Sequence, residues 1–449
     1  MLNGGITTGE RPASGGLLRV LGVAFGLAVL VGNTIGMGIL RTPGEVAARL
    51  PSVPFFMAVW IAGAVYALLG ALTVAELAAM RPRSGGLYPL VHDVLGEYPG
   101  FIVGWTDWLA TCGSAAAVAM VFGEYTGSLV PGTAGREVAV ASLVIIAFAV
   151  LQWRGIRIGD ATQQLTSLLK SIALVGLAVV ALVTTIDPAR SAPVAPVSIP
   201  AGLALAGAII IALQSAIYTY DGWTGPIYFG EELRDPARDI PRTMIGGVLL
   251  VLAIYLALNA AFLRVVPIQD MAGDPFVAAT AALRLFGPAG DVVIRVVMLL
   301  SLVAAINALL LMACRVPFAM SRDRLLPVVL QRVNRGGTPA PALVTSTLVA
   351  LVCIATNTFN TLLAMLAFLF VANYGLVFTA FFVSRYRAPD AERPFRVPGY
   401  PFVPGCALAG SLAFMAGAVL GDRTNSMLAL AVLAISWPIY RMTRPREAR

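Results

Sequence analysis

The chain has 449 residues, 58% of them hydrophobic and only 12% charged, with a formal net charge of +8. Its mean hydropathy is +0.84. A soluble domain carries roughly 25% charged residues, so this composition excludes an ordinary globular protein. Long apolar runs separated by clustered charge point instead to repeated membrane spans. The positive balance does not indicate nucleic acid, because the arginines sit in short loops between apolar runs, where they read as topology signals.

In chain order, residues 1–16 form a Gly/Thr/Ser-rich stretch expected to be a flexible cytoplasmic tail. No cleavable signal peptide is evident, since the first apolar run is too long for one and more spans follow. A helix needs about 20 apolar residues to cross a bilayer. Twelve such runs are present: 17–40, 53–80, 100–130, 137–153, 161–186, 202–230, 243–265, 291–314, 340–356, 360–384, 402–421 and 425–441. The stretch 340–384 is too long for one crossing, and Asn357, Thr358 and Asn360 supply a polar turn in its middle. A short tail, 442–449, ends the chain. With the N-terminus inside, most arginines fall on the same side, among them Arg81, Arg83, Arg154, Arg157, Arg234, Arg238, Arg242, Arg315, Arg322 and Arg324. Few fall outside, for example Arg41, Arg49, Arg136 and Arg190. That bias predicts a multi-pass protein of the cell inner membrane with both termini cytoplasmic.

Two spans are interrupted at mid-depth. Span 1 reads Gly32-Asn33-Thr34-Ile35-Gly36-Met37-Gly38-Ile39, and span 6 reads Tyr218-Thr219-Tyr220-Asp221-Gly222-Trp223-Thr224-Gly225-Pro226. Glycine and proline weaken a helix, and broken backbone at membrane depth is tolerated only where it lines a protein cavity. Their five-span offset inverts the second half relative to the first, and paired interruptions of this kind mark a transporter binding site. At a break, freed N–H groups suit a carboxylate and freed carbonyls suit an ammonium, so two facing breaks form a site for a zwitterion. Gly36 and Gly38 either let the ligand approach closely or serve tight helix packing.

At these residues the sequence resembles the amino acid–polyamine–organocation (APC) superfamily, most closely its L-type amino-acid transporter branch. The resemblance runs from about residue 17 to about 404. It is carried by GNTIGMGI at 32–39, PRSGGLYPLV at 82–91, GFIVGW at 100–105 and YDGWTGPIYFGEELRDPARDIPR at 220–242. SRDRLLP at 321–327, TPAPALV at 338–344 and RPFRVPGYPFVP at 393–404 complete it. It implies an all-α membrane protein of 12 transmembrane helices in a LeuT-type fold. Residues 17–186 and 202–384 would be two inverted five-helix repeats, and 402–441 two further spans. Carried over by position, the substrate carboxylate would meet N–H groups of Gly36, Met37 and Gly38, in the break that also contains Ile35. The ammonium would meet carbonyls near Thr34 and at Tyr218, Thr219 and Asp221, with Gly222 at the second break. Tyr218 would gate the substrate. Asp221 stands where many relatives have glycine, and either pairs with a substrate amine or caps a half-helix. Trp223 either shapes the cavity or packs.

The single lysine, Lys170, lies roughly ten residues from either end of span 5, about 15 Å along a helix. Snorkelling is hard from there, and a buried ionisable group in a span is a functional signal. In the resemblance such a lysine occupies the sodium site of sodium-independent members, and Ala304 and Ala305 replace the hydroxyls that sodium users tend to carry. Lys170 is therefore the expected coupling residue. Asn307 either faces the cavity or bonds a neighbouring helix. Asp107 and Glu76 read as near-interface groups bonded to loops, with a proton relay as the other reading. Glu231 and Glu232 read as a cytoplasmic salt-bridge network with Arg234, Arg238 and Arg242.

Cys112, Cys314, Cys353 and Cys406 lie singly in apolar stretches and read as small hydrophobes. With one histidine, His92, no metal or other cofactor is expected. No GxxxxGK[ST] or HExxH motif occurs, which disfavours a primary pump or a membrane metalloenzyme, and a channel would need a repeated filter. The expected function is sodium-independent secondary transport of amino acids, as a permease or exchanger, with neutral L-amino acids as cargo. The alternative is a proton-coupled or exchange carrier of cationic amino acids or polyamines. No enzyme activity, nucleic-acid partner or obligatory partner subunit is expected; some relatives hold a single-span partner by a disulfide, and no cysteine here sits in a clear extracellular loop.

Overall fold

The computed structural model describes residues 17–184, 199–356, 359–421 and 423–443. The tail 1–16, Arg190, the turn residues Asn357 and Thr358, and residues 444–449 lie outside the described residues. Among the described residues regular structure is helical, with only isolated bridges at Leu21–Leu233 and Ser84–Phe229. The first half contains α1 (Val23–Thr34), α2 (Met37–Arg49), α3 (Val53–Met80), α4 (Tyr88–Leu95), α5 (Glu97–Leu129), α6 (Glu137–Trp153) and α7 (Ile156–Val183). The second contains α8 (Leu203–Tyr220), α9 (Pro236–Val265), α10 (Ile268–Met271), α11 (Val277–Phe286), α12 (Pro288–Ala313), α13 (Arg315–Arg322), α14 (Ala340–Ala355) and α15 (Phe359–Arg387). Then follow α16 (Phe402–Gly421) and α17 (Arg423–Thr443).

Each predicted apolar run falls on a helix. Among the described residues, eight helices are long and apolar enough to cross a membrane by themselves, and α1 with α2 makes a ninth if the bent pair is one span. α6 and α14 are apolar but shorter, while α5 is long and carries polar residues such as Thr106, Asp107, Thr111 and Ser114 along one side. Several boundaries differ from expectation: α2 continues to Arg49, past 40, and α7 begins at Ile156, before 161. The run 202–230 is helical only to Tyr220, and its remainder is a 3-10 turn at Gly225–Tyr228, because Pro226 supplies no N–H and the glycines before it do not favour helix. α9 begins at Pro236, well before 243, since proline at a first helical position wastes no donor.

The core runs through α5, packed against α6, α12, α14 and α15, and through α1, packed against α7, α9 and α12. Large apolar side chains left exposed lie on the outer helices, among them Leu143 and Val150 of α6 and Leu165, Leu168 and Ile172 of α7. Such a belt is an aggregation hazard in water but suits lipid.

Candidate functional site

The first break lies between α1 and α2, which meet at 41°. Ile35 leaves the helical region, and the N–H of Gly36 donates back to the carbonyl of Thr34 at 2.9 Å. That turn exposes the last carbonyls of α1, and three other helices satisfy them. Lys170 Nζ on α7 donates to the carbonyl of Gly32 at 2.9 Å and to that of Ile35. Ser301 Oγ on α12 donates to Ile35 at 3.0 Å, and the Tyr255 hydroxyl on α9 donates to Thr34 at 2.7 Å. Lys170 is fully buried, so its amino group meets a ring of carbonyl dipoles in a low-dielectric setting, where an ionisable group is a functional signal.

The second break follows α8. Asp221 is extended, and Gly222 has φ +119, a conformation that side chains with a Cβ rarely adopt. The two breaks touch. A Cβ on Gly222 would stand 2.6 Å from Thr34 Oγ1, and one on Gly38 would stand 2.8 Å from Thr219 Cγ2. Gly38 is therefore a packing glycine as well as a cavity residue. A Cβ on Gly36 would lie 3.6 Å from Ala305, in ordinary contact.

Beside the junction is a cavity of about 60 Å³, room for a few waters. Of the predicted residues, Thr34, Gly36, Gly38, Tyr218, Thr219 and Asp221 line it. Ile35 is buried and presents its carbonyl to Lys170; the side chain of Met37 lies outside the described residues. Trp223 does not line the cavity but packs on Tyr374, centroids 4.9 Å apart, and against Gly70. Gly222 is the contact point rather than a wall. Asn307 also lies away from the cavity, holding Gln163, Gln152 and the carbonyl of Gly159 at 2.8–3.2 Å; it ties α12 to α6 and α7.

Several of the expected acceptors already take a hydrogen bond within the protein. Tyr255 donates to the carbonyls of both Thr34 and Thr219, and the N–H of Asp221 bonds that of Tyr218 at 3.0 Å. The Gly36 N–H is likewise engaged. What the site keeps unengaged is Thr34 Oγ1, buried and without a hydrogen-bond partner among the described residues, while the first N–H groups of α2 lack intrahelical partners by position. Asp221 lines the cavity and accepts the Tyr374 hydroxyl.

Sequence reasoning missed one wall. Asp107, Thr111, Ser114 and Val118 recur on one face of α5, and the last three line the cavity; that polar stripe at helical spacing was the available signal. Asp107 bonds a cavity residue: it is fully buried and accepts the Tyr228 hydroxyl at 2.8 and 2.9 Å, and Tyr228 lines the cavity. Tyr255, Ser301 and Tyr374 carry no sequence signature at all.

Ion pairs cluster on the arginine-rich face. Arg83 reaches Asp93 at 2.8 Å and Asp323 at 2.7 Å. Glu231 and Glu232 pair not with Arg234, Arg238 and Arg242 but with Arg322 and Arg315, each at 2.6 Å, because the 3-10 turn aims them at α13. Glu76 is buried and accepts from Arg385, Arg393 and the N–H of Val397.

The amino acid permease profile matches residues 16–440. The chain belongs to the amino acid permease family. It is 29% identical to a serine/threonine exchanger of Bacillus subtilis (strain 168), covering 96% of this chain and 98% of that protein. It is 27% identical to the mouse b(0,+)-type amino acid transporter 1 over 94% and 87% of the two chains. It is 28% identical to the rat large neutral amino acids transporter small subunit 2 over 88% and 76%. Family and apolar helices together make it a multi-pass membrane protein of the APC amino-acid transporters.

Proposed function

We propose that this permease moves neutral L-amino acids by alternating access, as a sodium-independent exchanger. One observation carries the reading: two helix breaks touch beside a single cavity, and the side-chain nitrogen of Lys170 caps the carbonyls freed by the first. The N–H groups opening α2, at Met37 and Gly38, would receive the substrate carboxylate. Thr34 Oγ1 and the Asp221 carboxylate would receive its ammonium. Lys170 takes the place of a sodium ion, and the LeuT-type arrangement, with repeats 17–186 and 202–384 and the added spans at 402–441, explains why the breaks meet. The names of the relatives, an exchanger and carriers of amino acids, point the same way, and the chain is proposed to act without a partner subunit. The test is counterflow in proteoliposomes. Serine, threonine or a large neutral amino acid outside should drive efflux of preloaded label, unchanged when choline replaces sodium. Lys170→Ala should lose at least about tenfold in rate, because the freed carbonyls lose their donor. Full activity in that variant, or sodium dependence in the wild type, overturns the coupling role.

A second reading, a carrier of cationic substrates or protons, is favoured by the two carboxylates. Asp107 and Asp221 lie within electrostatic reach of each other, and each is held by a tyrosine hydroxyl with no basic partner among the described residues. Competition by lysine or a diamine, abolished in Asp221→Asn, would establish cationic cargo. Proton movement accompanying uptake, abolished in Asp107→Asn, would establish proton coupling. Neutral competition alone, with no proton movement, retains the first reading.

A further inference from the structure

On the outer surface of the bundle, away from the cavity, α6 and α14 leave a groove of about 390 Å³ between them. Its walls are Ile146, Val150 and Trp153 from α6 and Leu343, Val344 and Leu348 from α14. All but Leu343 are well exposed. Small Ala149 and Thr347 at its floor keep the helices from closing over it. A slot of this kind in a lipid-facing surface holds an acyl chain, and by itself it would hold any.

The mouth of the groove is specific. Arg154 lines it, and the chain turns there at Gly155. The loop before α14 is fastened to that turn: the N–H of Ile156 donates to the carbonyl of Gly336 at 3.0 Å, and Asn334 Nδ2 donates to the carbonyl of Trp153 at 2.6 Å. Arg335 therefore stands beside Arg154, with Arg157 in the first turn of α7. All three are exposed. None has an acidic group within 4.0 Å among the described residues. Asp160, the nearest acid along α7, instead bonds Gln164. On the same face Arg83, Arg315, Arg322, Arg385 and Arg393 are all paired with carboxylates. Trp153, half-exposed at 50%, sits between the apolar slot and the charges, the level at which tryptophan marks a membrane interface.

The geometry points to a binding site for an anionic phospholipid, with one acyl chain in the α6–α14 groove and the phosphate among Arg154, Arg157 and Arg335. Three arginines without acidic partners on adjoining segments make this corner of the surface positive, and guanidinium groups bind phosphate oxygens in pairs. Basic pockets between membrane helices take such headgroups.

The test uses the whole purified chain, with phosphatidylglycerol and phosphatidylcholine as probes at equal mole fraction, and native mass spectrometry of lipid retained after gentle activation. The wild type should retain phosphatidylglycerol preferentially. Arg154→Gln/Arg157→Gln/Arg335→Gln should reduce that preference by at least about tenfold, with thermal melting in neutral detergent confirming the fold. Ala149→Phe, which fills the slot, should abolish retention with the arginines intact. Should the triple variant not fold, Arg335→Gln alone, a change in an exposed loop, should still lower the preference. Equal retention of the two lipids by the wild type, an undiminished preference in the arginine variants, or full retention in Ala149→Phe overturns the site.

Discussion

At the scale of single residues, the site is organised by who satisfies the backbone freed at a break. Lys170, Ser301 and Tyr255 each donate to a carbonyl near the end of α1, and Gly222 and Gly38 bring the second break into contact with the first. Gly222 is the most exacting position. A Cβ there would adopt φ +119, costing about 1–3 kcal/mol in strain, and would strike Thr34 Oγ1 at 2.6 Å. Gly222→Ala is expected to lose transport while the chain still inserts and folds. Gly36→Ala, whose Cβ meets Ala305 and the Asn33 carbonyl in ordinary contact, each at 3.6 Å, is expected to weaken substrate affinity and keep measurable turnover. Counterflow over a range of substrate concentrations separates them, and wild-type turnover in Gly222→Ala would remove the junction from the mechanism. The glycines and Lys170 were legible in the sequence because each is an anomaly for its setting: flexible residues or a charge inside an apolar run. Tyr255 and Tyr374 were not, since an aromatic in a span is ordinary packing until its hydroxyl finds a partner. Asp107 was visible as a charge, but its partner Tyr228 was not, because sequence does not say which segment packs against α5 at that position.

At the scale of elements, apolar length revealed the long helices because twenty apolar residues have few other uses. It did not reveal α4, α10, α11 or α13, which are too short to cross a bilayer, α11 being apolar but only ten residues long. It also carried the sixth run through the 3-10 turn at Gly225–Tyr228, where hydropathy stays high while the hydrogen-bond pattern changes. That turn and α13 are joined by the pair of Glu232 and Arg315, both fully buried, bonded at 2.6 and 2.9 Å, with the guanidinium 4.2 Å over the ring of Phe229. Removing one member of a buried pair strands the other, a loss of about 3–5 kcal/mol, whereas replacing both by apolar groups is often neutral. Arg315→Met is accordingly expected to lower thermal stability strongly, and Arg315→Met/Glu232→Leu to regain much of it. Melting curves in detergent decide this; a double variant no more stable than the single would mean that the contact serves packing rather than charge.

At the scale of the whole molecule, a carrier needs one face shut while the other opens. The arginine-rich face has the means. Arg83 joins the loop after α3 to Asp93 on α4 and to Asp323 after α13, and Tyr88 donates to Asp323 at 2.7 Å. Ser84 and Glu231 tie the same loop to the chain just beyond Tyr228, so the clasp closes directly beside a cavity wall. Its pairs are partly exposed, Arg83 by 25% and Asp323 by 20%, so each contributes on the order of 1 kcal/mol, enough to bias two conformations severalfold without locking either. Arg83→Ala should therefore open this face. With the native cysteines removed, a thiol introduced as Ser114→Cys in the cavity wall should react severalfold faster with a membrane-impermeant reagent applied from the arginine-rich side. The pH dependence follows from Asp93. Burial works against its charge, but the hydrogen bond from His92 and the charges of Arg83 and Arg81 outweigh that and hold its carboxyl below the usual range. A depressed carboxylate contributes fully above its unfolded value and loses its effect only as pH falls through the folded one. Labelling at pH 7 and pH 5.5 should thus be equally slow in the wild type, rising only in stronger acid, and equally fast in Arg83→Ala. Unchanged labelling in that variant would mean that the face is held by packing, and that α13 and the Tyr228 turn move as one body with the rest.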